Sequence, residues 1–236
     1  MRRLGLIGGM SWESTAVYYR LLNQGVRQRL GGLHSADLVL RSVDFAPIAA
    51  QQAAGAWAEA GAALAEAAGQ LRAAGADALM ICTNTMHLLR EETRAGAALP
   101  LIDLLDVTAE ALLKDGRRRP LLLGTAFTME HGFYTRALAR HGLKAITPNA
   151  ADRALTHRVI YDELCQGVIR PESRAPLRDV IARAADEHGA DATLLACTEL
   201  GLLLDPDALP TPGYDTTALH CQAALAWALN GREEAL

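Results

Sequence analysis

Met80-Ile81-Cys82-Thr83-Asn84-Thr85-Met86-His87 runs from an apolar strand straight into a cluster of small polar side chains. Leu194-Leu195-Ala196-Cys197-Thr198-Glu199-Leu200 repeats that plan downstream, so two thiol-bearing strand ends in one chain suggest two faces of one site. Working outward from the first stretch, Leu4 to Ile7 reads as a strand that Gly8-Gly9 releases into Met10-Ser11. Ser11 is placed to cap a helix carrying Val17, Tyr18, Leu21, Leu22 and Leu30, which Gly31-Gly32 ends. Leu38 to Val43 is a second strand with the polar loop Asp44 to Gln52 behind it. An Ala-rich helix bearing Trp57, Leu64 and Leu71 stops at Gly75, and Ala78 to Cys82 is the third strand. Such βαβαβ alternation, with strands too apolar to be half exposed, is the pattern of a parallel sheet covered on both faces.

After Leu99-Pro100 the pattern restarts. Leu101-Ile102-Asp103 leads to a helix near Val107 to Lys114, and Pro120 to Thr125 gives a strand. A helix near Glu130 to Arg140, a strand at Leu143 to Thr147, helices near Ala154 to Gln166 and Ser173 to His188, and the strand Ala192 to Cys197 follow. Pro206, Pro210 and Pro212 carry the chain to a final amphipathic helix, Thr216 to Asn230, expected to pack back on the first lobe. Leu4 to Gly8 is echoed by Leu121 to Gly124, and Cys82 by Cys197, at nearly the same offset. Duplicated α/β lobes explain a shared offset better than coincidence. The division expected is residues 1–100 plus 211–236 for one lobe and 101–210 for the other.

A chain of 236 residues that is 50% hydrophobic buries a real core and is not disordered. A net charge of -4, with no like-charge run longer than Arg117-Arg118-Arg119, argues against a nucleic-acid or membrane-surface partner. Small neutral or anionic ligands stay open. The apolar run at Leu4 is too short for a signal sequence and no later segment nears the roughly 18 apolar residues of a spanning helix, so a cytoplasmic location is expected. Cys82, Cys165, Cys197 and Cys221 form no Cys-x-x-Cys pair, and reduced thiols are expected. Cys165 and Cys221, on helical patterns, read as small buried hydrophobes.

Ligands of a parallel sheet collect at the carboxyl ends of its strands, where helix starts present N–H groups. Four such ends carry small polar residues here: Gly8-Gly9-Met10-Ser11, Thr83-Asn84-Thr85, Gly124-Thr125 with Thr128, and Thr198-Glu199. Hydroxyls, an amide and backbone donors suit a carboxylate held without lysine or arginine. The dinucleotide glycine fingerprint, the phosphate loop and the nucleophile elbow are all absent, and His87 with the cysteines matches no common zinc spacing. For His87 itself a structural and a functional role are both open. A cysteine at a strand end beside a helix start is favoured as thiolate, below its usual pKa of about 8.5. Two of them across a small carboxylate cleft suit proton removal from one face of a carbon and return to the other, which is racemisation without a cofactor.

Leu6-Ile7-Gly8-Gly9-Met10-Ser11-Trp12-Glu13-Ser14-Thr15, Cys82-Thr83-Asn84-Thr85-Met86-His87, Leu123-Gly124-Thr125 with Thr128-Met129, and Cys197-Thr198-Glu199-Leu200 together resemble the aspartate/glutamate racemase superfamily. Within it the chain looks like the bacterial aspartate/glutamate or broad-specificity amino-acid racemases, over Leu4 to Ala228. The resemblance implies two flavodoxin-like α/β lobes related by a pseudo-twofold axis, an active site in the cleft between them, a homodimer, and no pyridoxal phosphate or other cofactor. In most of the family the first catalytic cysteine directly precedes Asn-Thr, and here that place is held by Thr83, with Cys82 one position earlier. Adjacent strand residues point to opposite faces, so matching residue by residue puts Thr83 in the cleft and Cys82 in the core. The family's second cysteine attacks the L-enantiomer. Cys197 is therefore expected as base toward the L-substrate, with Thr83, or a water it holds, returning the proton.

Asn84, Thr85, Thr125, Thr128 and Thr198 are assigned to the substrate's α-carboxylate and amino group, against an alternative of helix capping. Glu199 either accepts from the substrate ammonium or orients Cys197, with a first-turn helix carboxylate as the plain alternative. Met10 is expected to line the cleft, with core packing as its alternative. Some aspartate racemases of the family offer a lysine where Cys165 stands. Without it, discrimination falls to neutral donors, Gln52 first among them, and substrates such as homoserine join aspartate and glutamate. Sister enzymes of the same fold (maleate isomerase, hydantoin racemase, arylmalonate decarboxylase) and a non-catalytic amino-acid-binding protein are the competing readings.

Overall fold

The computed structural model describes residues 1–230, which divide into two compact units. The first is built from residues 1–103 together with residues 220–230, the second from Leu104–Leu219.

In the first unit the chain runs β1 (Leu4–Gly8), α1 (Trp12–Leu30), β2 (Leu38–Ser42), α2 (Phe45–Ala54), α3 (Trp57–Ala73), β3 (Ala78–Ile81) and α4 (Arg90–Ala97). The strands pair in parallel in the order β2-β1-β3, and Leu79 bridges in parallel to Leu101. Side chains alternate across this sheet. Leu4, Leu6, Met80 and Cys82 pack with Tyr18, Leu22 and Val26 of α1. Ile7, Leu79 and Ile81 pack with Leu64, Ala68 and Leu71 of α3. Each leucine so buried is worth about 1.5–3 kcal/mol over its exposed state, which is what holds a short, propensity-neutral strand in place. Gly9 has φ 93°, and a Cβ there would meet the Val43 carbonyl oxygen at 2.2 Å, so the turn out of β1 requires glycine.

The second unit runs α5 (Leu104–Lys114), β4 (Pro120–Leu123), α6 (Ala126–Glu130), α7 (Phe133–Arg140), α8 (Ala150–Arg158), α9 (Arg174–His188), β5 (Ala192–Leu195), α10 (Leu200–Leu203), β6 (Gly213–Asp215) and the start of α11 (Thr216–Leu229). Its strands pair in parallel as β4-β5-β6, and Leu121 bridges to Ile146. With the bridges counted, β4 and β5 hold the places in this sheet that β1 and β3 hold in the other, which is the echo read from the sequence.

Several expectations change. The segment after Asp44 is a helix, not a loop: Asp44 accepts from the Ala46 N–H at 3.2 Å, Pro47 falls in the first turn where its missing N–H costs nothing, and Gly55 closes α2 in the left-handed region. The strand expected at Leu143–Thr147 contracts to the bridge at Ile146, because Pro148 and the Asn149 cap of α8 turn the chain at once. β2 is an edge strand with Leu40, Arg41 and Ser42 exposed, so it is not covered on both faces. Gly132, with φ 73°, breaks the helix expected over Glu130 to Arg140. The return of the chain to the first unit falls at His220 instead of residue 211, since β6 pairs with β5, and the first crossing follows Asp103. Residues 231–236, expected in the first lobe, lie outside the described residues. α11 exposes only Gln222 and Ala226 along its length and is apolar nearly all round instead of amphipathic, with Cys221, Ala224, Leu225 and Ala228 packed on the Leu4 side of the first sheet. Among the described residues no helix is long and apolar enough to cross a membrane.

Candidate active site

In the first unit the strand end beyond β3 separates its two candidates by burial. Cys82 is fully buried in the core with Leu4, Leu6, Tyr18 and Cys221, and burial pushes its thiol well above the ordinary range. Thr83 is half-buried, the least covered residue of the stretch Ile81 to His87. Asn84 and Thr85 are buried, and Asn84 opens the tight turn Thr85–Leu89 without a side-chain cap, so capping does not explain it. Met10 belongs to the core cluster of Ile7, Ile48 and Met86, which gives it a packing role. Gln52, on α2, is buried and donates through Nε2 to the Met86 sulfur at 2.9 Å, spending one of its donors inside the unit.

Behind Thr83 lies a histidine network that the sequence reading left unassigned. His87 Nδ1 meets the Thr83 carbonyl oxygen at 2.8 Å. A carbonyl only accepts, so Nδ1 carries the proton. His220 Nε2 likewise donates to the Ile102 carbonyl at 2.7 Å, which leaves Nδ1 to accept from the Tyr18 hydroxyl at 3.0 Å. The two imidazoles meet edge to face at 5.6 Å. Burial holds both below the ordinary histidine value of 6.5, His220 at about 3. His87 is thus a neutral residue bonded to the backbone of the turn that presents Thr83. His220 ties the exit of the first unit at Ile102 to the helix by which the chain returns.

The second unit carries the denser chemistry. Gly124 leaves β4, and a Cβ there would crowd the Ala196 carbonyl at 2.9 Å. Thr125 caps α6, accepting from the Thr128 N–H at 3.3 Å, with the two hydroxyls 3.2 Å apart. Thr198 accepts from the Thr217 hydroxyl at 3.2 Å. For Thr125 the capping alternative therefore holds. Beyond β5, Cys197 and Glu199 are both buried, and the thiol donates to Glu199 Oε2 at 3.0 Å. The thiolate expected here is corrected: burial first, then the facing Glu199 and Cys165, raise Cys197 well above the ordinary value. α10 has four residues, too short a dipole to offset that cost. At rest Cys197 is a thiol hydrogen-bonded to a carboxylate.

Cys165 is also corrected. Its segment is not the end of a regular helix: after α8 the chain makes a π-turn, Val159–Glu163, then a tight turn, Leu164–Gln166. Such turns are frequent at functional sites because they re-aim side chains. Here Cys165 is half-buried with Sγ 3.8 Å from Glu199 Oε1, so both Glu199 oxygens have a thiol partner. Tyr161, on the π-turn, packs against His157 with ring centroids 4.5 Å apart and planes tilted by 45°, and His157 Nδ1 accepts from the Ala126 N–H at 3.3 Å. Burial, then Cys165, Cys197 and Glu199, push the Tyr161 phenol up to about 12. Cys165, Tyr161 and His157 were missed because a π-turn leaves no trace in hydrophobic spacing. The one sequence signal was Cys165 standing where the family resemblance places the lysine of some aspartate racemases. Among the described residues no group of three or more His, Cys, Asp or Glu is arranged to hold a metal ion.

Each of the two parallel α/β sheets ends in a strand terminus rich in polar and thiol side chains. Residues 7–224 match the family model described as Asp/Glu/Hydantoin racemase. The chain belongs to that family, and with it to the racemases among the isomerases. A crystal structure from Yersinia pestis assigned to the Asp/Glu racemases is 45% identical, with 98% of this chain and 100% of that one covered at a TM-score of 0.90. An aspartate racemase homologue from Pyrococcus horikoshii OT3 is 28% identical, covering 97% and 99% at a TM-score of 0.86. A broad specificity amino-acid racemase from Bacillus subtilis (strain 168) is 23% identical over 70% of either chain.

Proposed function

We propose that the protein is a cofactor-independent amino-acid racemase in which Cys197 is the base toward the L-substrate. The observation that carries this is the buried Cys197–Glu199 contact at 3.0 Å. Because Cys197 rests as a thiol, the base must be made on demand: its proton passes to Glu199 Oε2, the electron pair stays on Sγ, and the thiolate takes the substrate's α-proton. An incoming ammonium group favours that transfer by adding positive charge beside the new thiolate. On the opposite face Thr83, or a water bound to it, gives a proton to Cα and is reprotonated from solvent, while Glu199 releases to solvent the proton it took, so hydroxyl, thiol and carboxylate are all restored. A threonine hydroxyl has no accessible anion near neutral pH, so this side donates far better than it abstracts.

The substrate proposed is L-aspartate or L-glutamate within a broader set that includes uncharged side chains such as that of homoserine. The position that carries a lysine in some aspartate racemases of the family is held here by the uncharged Cys165, whose thiol faces Glu199. The likeness to a broad-specificity racemase supports the same reading. Asn84, Thr85, Thr125, Thr128 and Thr198 are proposed to hold the α-carboxylate and amino group, and a homodimer belongs to the same proposal.

Incorporation of solvent deuterium at Cα, followed by NMR over a panel of L-amino acids for wild type and Cys197→Ser, tests it. Exchange in the wild type that the variant loses is expected, with rates across dicarboxylates and neutral residues within about two orders of magnitude. No exchange with any amino acid leaves the sister enzymes or a binding protein. A preference for dicarboxylates by many orders of magnitude refutes the relaxed substrate range.

A further inference from the structure

We propose that Cys165 is a positioning residue for the base, holding the Glu199 oxygen that Cys197 does not use and so setting how strongly Glu199 draws the Cys197 proton. The inference rests on Cys197 being the base. The geometry is that of one carboxylate between two thiols: Cys197 Sγ donates to Oε2 at 3.0 Å and Cys165 Sγ to Oε1 at 3.8 Å. The π-turn Val159–Glu163 and the tight turn after it bring Cys165 there, off the line a continuous α8 would have followed.

The chemistry follows from counting protons. Two resting arrangements carry the same net charge: thiol with carboxylate, and thiolate with carboxylic acid. Transfer between them breaks the Cys197 S–H bond, forms an O–H bond on Glu199 and leaves the pair of electrons on sulfur. A donor on Oε1 stabilises the carboxylate and opposes that transfer. Cys165 is a weak donor, enough to keep the carboxylate turned with Oε2 toward Cys197 without locking the proton away. A hydroxyl or ammonium in its place would hold the carboxylate more tightly. Tyr161 also faces this cluster, and it stays protonated at any working pH. His157, packed against Tyr161, already uses Nδ1 for the Ala126 N–H.

The test is the pH dependence of alkylation at Cys197, followed by peptide mass mapping so that each cysteine is scored separately, in wild type, Cys165→Ala and Cys165→Ser. Loss of the donor removes a bond that favours the charged carboxylate and so eases transfer of the Cys197 proton. In Cys165→Ala the acid limb is therefore expected to move up by about half a pH unit, and the neutral plateau to rise about threefold. Cys165→Ser, which keeps a donor, is expected to leave the limb at or below the wild-type position. Cys165→Val removes the donor equally and serves if the alanine variant does not fold. A limb unmoved in the donor-free variants, or moved equally in Cys165→Ser, overturns the proposal. Alkylation needs no turnover, so this result is separate from α-proton exchange: a moved limb without any exchange in wild type refutes the racemase reading and not the positioning.

Discussion

The strand ends beyond β3 and β5 occupy the same place in two sheets of the same order, yet they carry different chemistry. Beyond β5 the residue after Ala196 is a thiol with a carboxylate 3.0 Å away and a second thiol behind it. Beyond β3 the cysteine sits one position too early, turns into the core with Leu4 and Leu6, and leaves Thr83 at the end. The period of two along a strand makes that single displacement decisive: a cysteine moved by one residue becomes a buried hydrophobe. The first unit has a neutral histidine network behind Thr83 where the second has an acid–base cluster behind Cys197.

The largest expected effect breaks the comparison outright. Cys197→Ala is expected to lower Cα exchange of the L-substrate by at least about 10³-fold, whereas Cys82→Ala leaves it within about twofold. Exchange assays on the two purified variants check this, and comparable losses would show that both thiols act.

Next comes the acid response of the first unit. His87 and His220 are both held below 6.5 by burial, His220 at about 3. The unfolded chain therefore binds protons in a window where the native state does not. Stability is level above about pH 6.5 and falls as pH drops toward 3, by a loss on the order of a few kcal/mol. Thermal unfolding from pH 7 to pH 4 measures it. His220→Gln, which keeps a donor for Ile102 and an acceptor for Tyr18 without titrating, is expected to flatten the fall.

A smaller effect would restore the missing symmetry. Thr83→Cys places a thiol on the outward register of the first strand end, and exchange of the D-substrate is expected to rise by about tenfold or more. No rise in D-exchange would mean that Thr83 is not the reprotonating side. The smallest effect concerns α2 of the first unit. Asp44→Ala removes the cap of α2 and is expected to cost about 1 kcal/mol in denaturant unfolding, with exchange of the L-substrate little changed.

Much of this was legible from residues alone. Leu4–Gly8, Ala78–Cys82, Leu121–Gly124 and Ala192–Cys197 announce buried strands because each is an unbroken apolar run closed by glycine or small polar residues. Motif matching also placed Thr83, Cys197 and Glu199 at strand ends. What was hidden had physical causes. The α2 helix carries Pro47 and lacks an apolar stripe, so it read as loop although its Asp44 and Gly55 caps were in plain view. A π-turn differs from an α-turn by one residue in the hydrogen-bond ladder, which spacing does not report, and Cys165 went with it. The protonation of Cys197 depends on burial and on a carboxylate brought to its sulfur, both consequences of folding. A strand-end cysteine was read as thiolate from a helix dipole that four-residue α10 is too short to supply.

The comparison reduces to one experiment: initial rates of solvent deuterium incorporation at Cα from the L- and the D-enantiomer of the same amino acid on the wild-type protein. With Cys197 as the base and Thr83 as the returning side, the L-enantiomer is expected to exchange much faster than the D-enantiomer. Equal rates would contradict a one-sided site and return the weight to two equivalent bases.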